Sequence, residues 1–206
     1  VLGDGQWADG QLAFDGQYTA EEIALGFQWL HAGGISSRGA YHGDRHGLDV
    51  PDFEAHALGG DMRGRVHVDF AGLHFQVQSH GQSIRLATLL AAVDNPSLPV
   101  IPLHWAADMD VDALTTWTAD FKKLDSRGVS FWAPPAELRP GQIPAAAHLD
   151  YHYSMTTETV TLATSEISTP SSRLRMNGVL GRADSAIDTL LETDSLIPWD
   201  DFVNRI

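Results

Sequence analysis

The sequence predicts an all-β fold of repeated antiparallel strands carrying one or two short helices. Apolar residues recur with a two-residue period in block after block, turn-forming Gly, Pro, Asp and Ser residues separate the blocks, and one stretch breaks the pattern with loose helical spacing.

Over residues 11 to 18, Leu12, Phe14 and Tyr18 share one parity around Asp15-Gly16, which predicts two short strands joined at that pair. Ile23, Leu25, Phe27 and Trp29 then alternate with smaller or polar residues as a half-buried strand does. A helix opened by a Thr19/Glu22 capping box is the rival reading. It would scatter those four large side chains around its circumference, so the strand is preferred.

The clearest signature runs from Ser36 to Val77. Leu48 and Val50 alternate up to Pro51-Asp52, and Phe53, Ala55 and Ala57 resume before a Gly59-Gly60 turn. Val66, Val68 and Phe70 oppose Arg65, His67 and Asp69; Leu73, Phe75 and Val77 oppose His74, Gln76 and Gln78. That is a meander with one apolar and one wet face. Residues 83 to 93 break the pattern and predict a short helix across one end of the sheet, capped by Ser83 and stopped by Asp94-Asn95-Pro96.

Prolines 96, 99 and 102 predict an edge or linker, and prolines 134, 135, 140 and 144 a second break. The chain therefore reads as one fragment, 1–206, with sub-blocks 1–95, 96–144 and 145–206. In the last block Leu149, Tyr151 and Tyr153 alternate, as do Val160 and Leu162, then Leu174, Met176 and Leu180. The ending predicts a short helix or extended edge anchored by Ile197, Trp199 and Phe202. Residues 48 to 68 and 160 to 180 repeat one phrase, strand, polar turn, strand with a glycine, and copies of such a unit stack side by side.

A net charge of -14 disfavours nucleic acid, whose affinity rests on neutralised phosphates. The absence of cysteine removes disulfides, thiolate nucleophiles and sulfur-ligated metals. Apolar runs break well short of the roughly 20 residues that a membrane-spanning helix needs. Since Val1 opens inside repeat-like sequence, the chain reads as a piece of a longer protein.

Candidate reaction centres are weak. His42 and His46 with Asp44 and Asp49 contain ligand types for a metal, but Gly43 and Gly47 make a polar hairpin turn the better reading. Ser79 and His80 are strand neighbours and point to opposite faces, which defeats a triad. Asp108, Asp110 and Asp112 share one face, suited to calcium or, more often, to a charged soluble edge. No phosphate-cradling glycine motif is present. The expectation is no catalytic residue, no cofactor and no enzyme activity. A secreted carbohydrate-binding or glycan-processing β-protein is the alternative, carried by Trp105, Trp117, Trp132 and the aspartate row. Periodicity alone leaves open whether the apolar face is sealed by a second layer or curls into a groove.

Two stretches, RHGLDVPDFEAHALGGDMRGRVHVDFAGLHFQV at 45–77 and VTLATSEISTPSSRLRMNGVL at 160–180, resemble the periplasmic repeat region of AsmA- and TamB-type proteins. Thr169, Pro170, Ser172, Leu174 and Gly178 occupy the places of a phrase found there, and residues 182 to 203 are similar to the segment C-terminal to that phrase in those proteins. The resemblance implies an elongated curved antiparallel sheet, taco- or trough-like, with a greasy concave face. It also implies a periplasmic location with a tether to the inner membrane outside this chain. Partners then expected are phospholipid or other acyl chains, and outer-membrane assembly proteins in the full-length protein. Groove-lining residues on this reading are Leu48, Val50, Phe53, Val66, Val68, Phe70, Leu73, Phe75, Val77, Val160, Leu162, Leu174, Met176 and Leu180.

Overall fold

The structure, a computed structural model, describes residues 2–8, 11–27, 30–93, 104–120, 122–181 and 185–199. Trp29, Asp94-Asn95, Phe121, Phe202 and prolines 96, 99 and 102, invoked above, lie outside them. The described residues form an all-β molecule around one open antiparallel sheet of 12 strands. In chain order these are β1 (Leu2–Ala8), β2 (Gln11–Phe27), β3 (Leu30–Asp44), β4 (Gly47–Ala57), β5 (Gly60–Asp69), β6 (His74–Arg85), β8 (Asp108–Thr118), β9 (Asp125–Ala133), β11 (Ala146–Ser154), β12 (Thr159–Thr169), β13 (Ser172–Gly181) and β14 (Ala186–Thr193). Each pairs with the next of these in sequence, so β1 and β14 form opposite edges and the sheet does not close. A helix, α1 (Leu86–Ala92), and a two-residue parallel pair, β7 (Trp105–Ala106) with β10 (Ile143–Pro144), lie outside the sheet. The surface is 13038 Å². A compact monomer of 22.4 kDa exposes about 9,400 Å², so the fold is elongated and trough-like rather than layered.

Both repeat phrases form tight hairpins, β4 with β5 and β12 with β13. The first turns at Leu58-Gly59, both with positive φ, and Gly60 already belongs to β5. The alternation at 23–27 is strand, as preferred over the helix. Asp15-Gly16 is no turn, however: β2 runs unbroken through it. Asp15 faces His42 across the strand pair, and Gly16 leaves room for the Tyr41 ring, so residues that read locally as a turn are set by long-range partners. The helix also starts later than Ser83 implies. Ser83 sits at an irregularity of β6 with φ 54°, its N–H donating to Asp110 Oδ1 at 3.0 Å, and Arg85 precedes the helix without a side-chain cap.

Paired residues of an antiparallel sheet share a face, and one cross-strand row explains the bend. It reads Tyr18, Gly39, Phe53, Gly64, Ser79, Ala113, Gly128, Tyr151, Leu162, Gly178 and Ile187 across β2 to β14. A Cβ on Gly64 would overlap the Gln78 carbonyl on β6, and one on Gly128 the Asp112 carbonyl on β8. Neighbouring backbone approaches these positions closely, and glycine leaves space for it. Bulges beside the row, between Val50 and Phe53, Gly81 and Ile84, and Leu162 and Ser165, let the long strands bend.

Gly64→Val should therefore destabilise the protein by about 1–3 kcal/mol, measured by urea unfolding, because a side chain there forces strands apart. At Gly5, where a Cβ meets nothing within 4 Å, Gly5→Ala should stay within about 0.5 kcal/mol of the parent.

Candidate functional site

The apolar face divides at the glycine row into a covered half and an open half. On the covered side a row of Ile84, Met109, Trp132, Ala147, Ile167 and Leu174 crosses β6 to β13, and its continuation on β14, Leu191, is 39 % exposed. Above it sit Leu86, Trp105, Ala107, Ala145 and Trp199, which complete the main core. Trp105 is 2 % exposed and packs edge-on against Trp199, with ring centroids 5.0 Å apart. Backbone bonds hold this cover in place: Leu86 N–H to Ala107 O at 3.0 Å, Ile143 N–H to His104 O at 2.9 Å and Ala145 N–H to Ala106 O at 3.0 Å. At the other end of α1, Ala92 packs in a smaller cluster with Ala32, Ile35 and Ala57. The cover is thus made of α1, the β7–β10 pair and the single 3₁₀ turn Ile197–Trp199.

The open side carries two rows. One runs Leu48, Val68, Phe75, Trp117 across β4, β5, β6 and β8, with Phe75 and Trp117 stacked at 5.3 Å. The other runs Val50, Val66, Val77, Thr115, Ser126, Tyr153, Val160, Leu180 from β4 to β13. Most of these side chains are half-buried, while Val50 and Val68 are buried. Among the described residues no second sheet covers these rows.

Of the sequence-derived lining residues, Leu48, Val50, Val66, Val68, Phe75, Val77, Val160 and Leu180 fall in these two rows, and Phe53 and Leu162 in the glycine row. Leu174 and Met176 pack partly buried against the covered core. Phe70 and Leu73 leave the strands altogether: they sit in the β5–β6 turn, 39 % and 50 % exposed, because β5 ends at Asp69 and β6 begins at His74.

Sequence reading missed the middle of the open half. Thr115 and Ser126 hydroxyls bond at 2.9 Å, and Tyr151 and Tyr153 stand beside them. Burial raises the Tyr151 phenol above its ordinary value, opposed by its hydrogen bond with Ser126, and burial with Glu158 raises that of Tyr153. Alternation gave a signal for the tyrosines. Thr115 and Ser126 gave none, since a polar residue on an apolar face looks like a break in the pattern.

The reaction-centre candidates resolve separately. The 42–49 segment is a hairpin in which Asp44 Oδ1 accepts N–H bonds from His46 at 2.6 Å and Gly47 at 3.0 Å, which hold its carboxyl below the usual range. His80 bonds Asp112 at 2.7 Å on the wet face, away from Ser79. No group of three or more metal-ligating side chains converges among the described residues. Two of the three tryptophans of the carbohydrate reading, Trp105 and Trp132, are buried in the core, where they offer no stacking surface. No described helix is long and apolar enough to cross a membrane.

Trp105→Ala should cost about 3–5 kcal/mol in urea unfolding and speed amide exchange in α1, since that ring seats the cover. No protein-family model, curated protein or solved structure matches the chain.

Proposed function

We propose that the open half of the apolar face is a groove that shields or conducts lipid acyl chains, without enzymatic chemistry. One observation carries this reading: an open 12-strand sheet whose apolar rows are covered at one side by α1, β7–β10 and the 3₁₀ turn and, among the described residues, left without a covering layer at the other. Burying a methylene there gains about 0.8 kcal/mol and asks for no directed polar partner. The rows supply that surface in Val66, Val77, Phe75 and Val160, with no charged clamp among them. The Thr115 and Ser126 hydroxyls bond each other and Ser126 also bonds Tyr151, which lessens the cost of an apolar neighbour.

The finer assignment is to the AsmA- and TamB-type repeat region, on the hairpin phrases at 45–77 and 160–180. It brings a periplasmic setting, a tether to the inner membrane beyond this chain, and a role in outer-membrane assembly or phospholipid transport with assembly proteins as partners. The trough-like sheet supports the class and the repeated hairpins fit it.

Purified protein should carry acyl lipid detectable by mass spectrometry of its organic extract, and the delipidated protein should take up a fluorescent fatty-acid probe. Val66→Asp with Val77→Asp should keep the β-sheet circular dichroism and lose at least about tenfold in probe affinity, since two buried charges oppose apolar contact. No extractable lipid together with no probe uptake would overturn the reading.

A further inference from the structure

We propose that the row Asp15, His42, Asp49, His67 is a proton-operated lace that holds β2 to β5 together in mild acid and slackens above neutrality. These four residues face one another in register on four consecutive strands of the wet face. His42 Nδ1 lies 2.6 Å from Asp15 Oδ1, and His67 Nδ1 lies 2.6 Å from Asp49 Oδ1. Asp49 has an imidazole on each side, so the row alternates acid and base without a like-charged neighbour. When the imidazoles are neutral, carboxylates at every second place repel without compensation. When protonated, each meets a carboxylate across a strand boundary, and the hydrogen bond becomes an ion pair.

The surroundings decide where this effect concentrates. His42 also has Asp44 on its own strand, and the carboxylates of Asp15, Asp44 and Asp49 raise its ordinary titration point against a smaller desolvation effect. His67 is flanked by Arg65 and Asp69 on β5 and faces Gln76 on β6. Three further histidines pair with aspartates: His56 with Asp61 at 3.0 Å, His80 with Asp112 at 2.7 Å and His152 with Asp125 at 2.8 Å. His56 sits opposite Ser36 on its other side and has Glu54 two residues before it. His80 faces Arg63 and His152 faces Arg127. Because the protonated rings meet carboxylates inside the sheet, protonation balances this face instead of making it an anion-binding surface.

The row lies directly behind the open half of the trough. Asp49 stands between Leu48 and Val50, and His67 between Val66 and Val68, so strand spacing on one face sets the rim on the other. The inference holds whatever occupies the trough.

The sign follows from His42. Its raised folded value means that its stabilisation is complete below about pH 6.5, the free imidazole value, and fades as pH climbs through the folded one. In low salt, the urea midpoint of the full chain should be higher at about pH 6 than at about pH 8 by about 0.5 M. Asp15→Asn should remove half or more of that difference, and Asp15→Asn with Asp49→Asn most of it. Asp188→Asn on β14 should leave it intact, and about 1 M salt should shrink it in the parent. Equal midpoints at the two pH values, or a parental difference in the Asp15→Asn, Asp49→Asn protein, would overturn the proposal.

Discussion

A single sheet has two faces and one chain to cover them, and the structure depends on how that shortage is met. Twelve strands in one layer present an apolar face far larger than one seven-residue helix and a few flanking residues can hide. Curling reduces the exposed area, and curling requires the inner side to accept neighbouring backbone at close range. Gly39, Gly64, Gly128 and Gly178 in one row supply that tolerance, with Ser79 and Ala113 between them. Without that row the strands would stay straighter and more apolar surface would meet water.

The cover makes the trough asymmetric. Trp105, Leu86 and Trp199 are buried over one half, where a void costs stability. In the other half, hairpin turns at 44–47, 69–74 and 118–125 end without a covering element among the described residues, and large side chains such as Phe70 and Leu73 remain in contact with solvent. The same division explains why tryptophan is a poor guide to a sugar site here: two of three are spent on the cover.

How much was legible depends on the range of the interactions. Alternation within a strand is local, so Val66, Val68, Phe75 and Val77 could be assigned to one face from their spacing alone, and the repeated hairpins at 48–68 and 160–180 could be matched by pattern. Register is not local. The four glycines of the crease are separated by 25, 64 and 50 positions, so their alignment becomes visible only once pairing is known. Asp15-Gly16 misled for the same reason: its local chemistry is that of a turn, while His42 and Tyr41, 27 and 25 residues on, determine its state. Ser83 misled because its N–H partner, Asp110, lies 27 residues away. The cover was half visible, as a helix of the right place and the wrong start.

The histidines depend on register in the same way. Taken singly along the sequence, each is an ordinary residue on a wet strand face, and the bland reading is correct for its burial. Taken across the sheet, His42 and His67 each fall opposite an aspartate, and Asp49 serves as a neighbour to both. Exposed ion pairs are individually weak, because water and salt screen them. Here they repeat on successive strands and act on the same coordinate, the spacing of β2 to β5, so small effects of one sign add. A lone helix covers the inner face at one end, and among the described residues nothing comparable braces the outer face of these four strands. The alternating row is therefore placed where a single-layer sheet has the least other support.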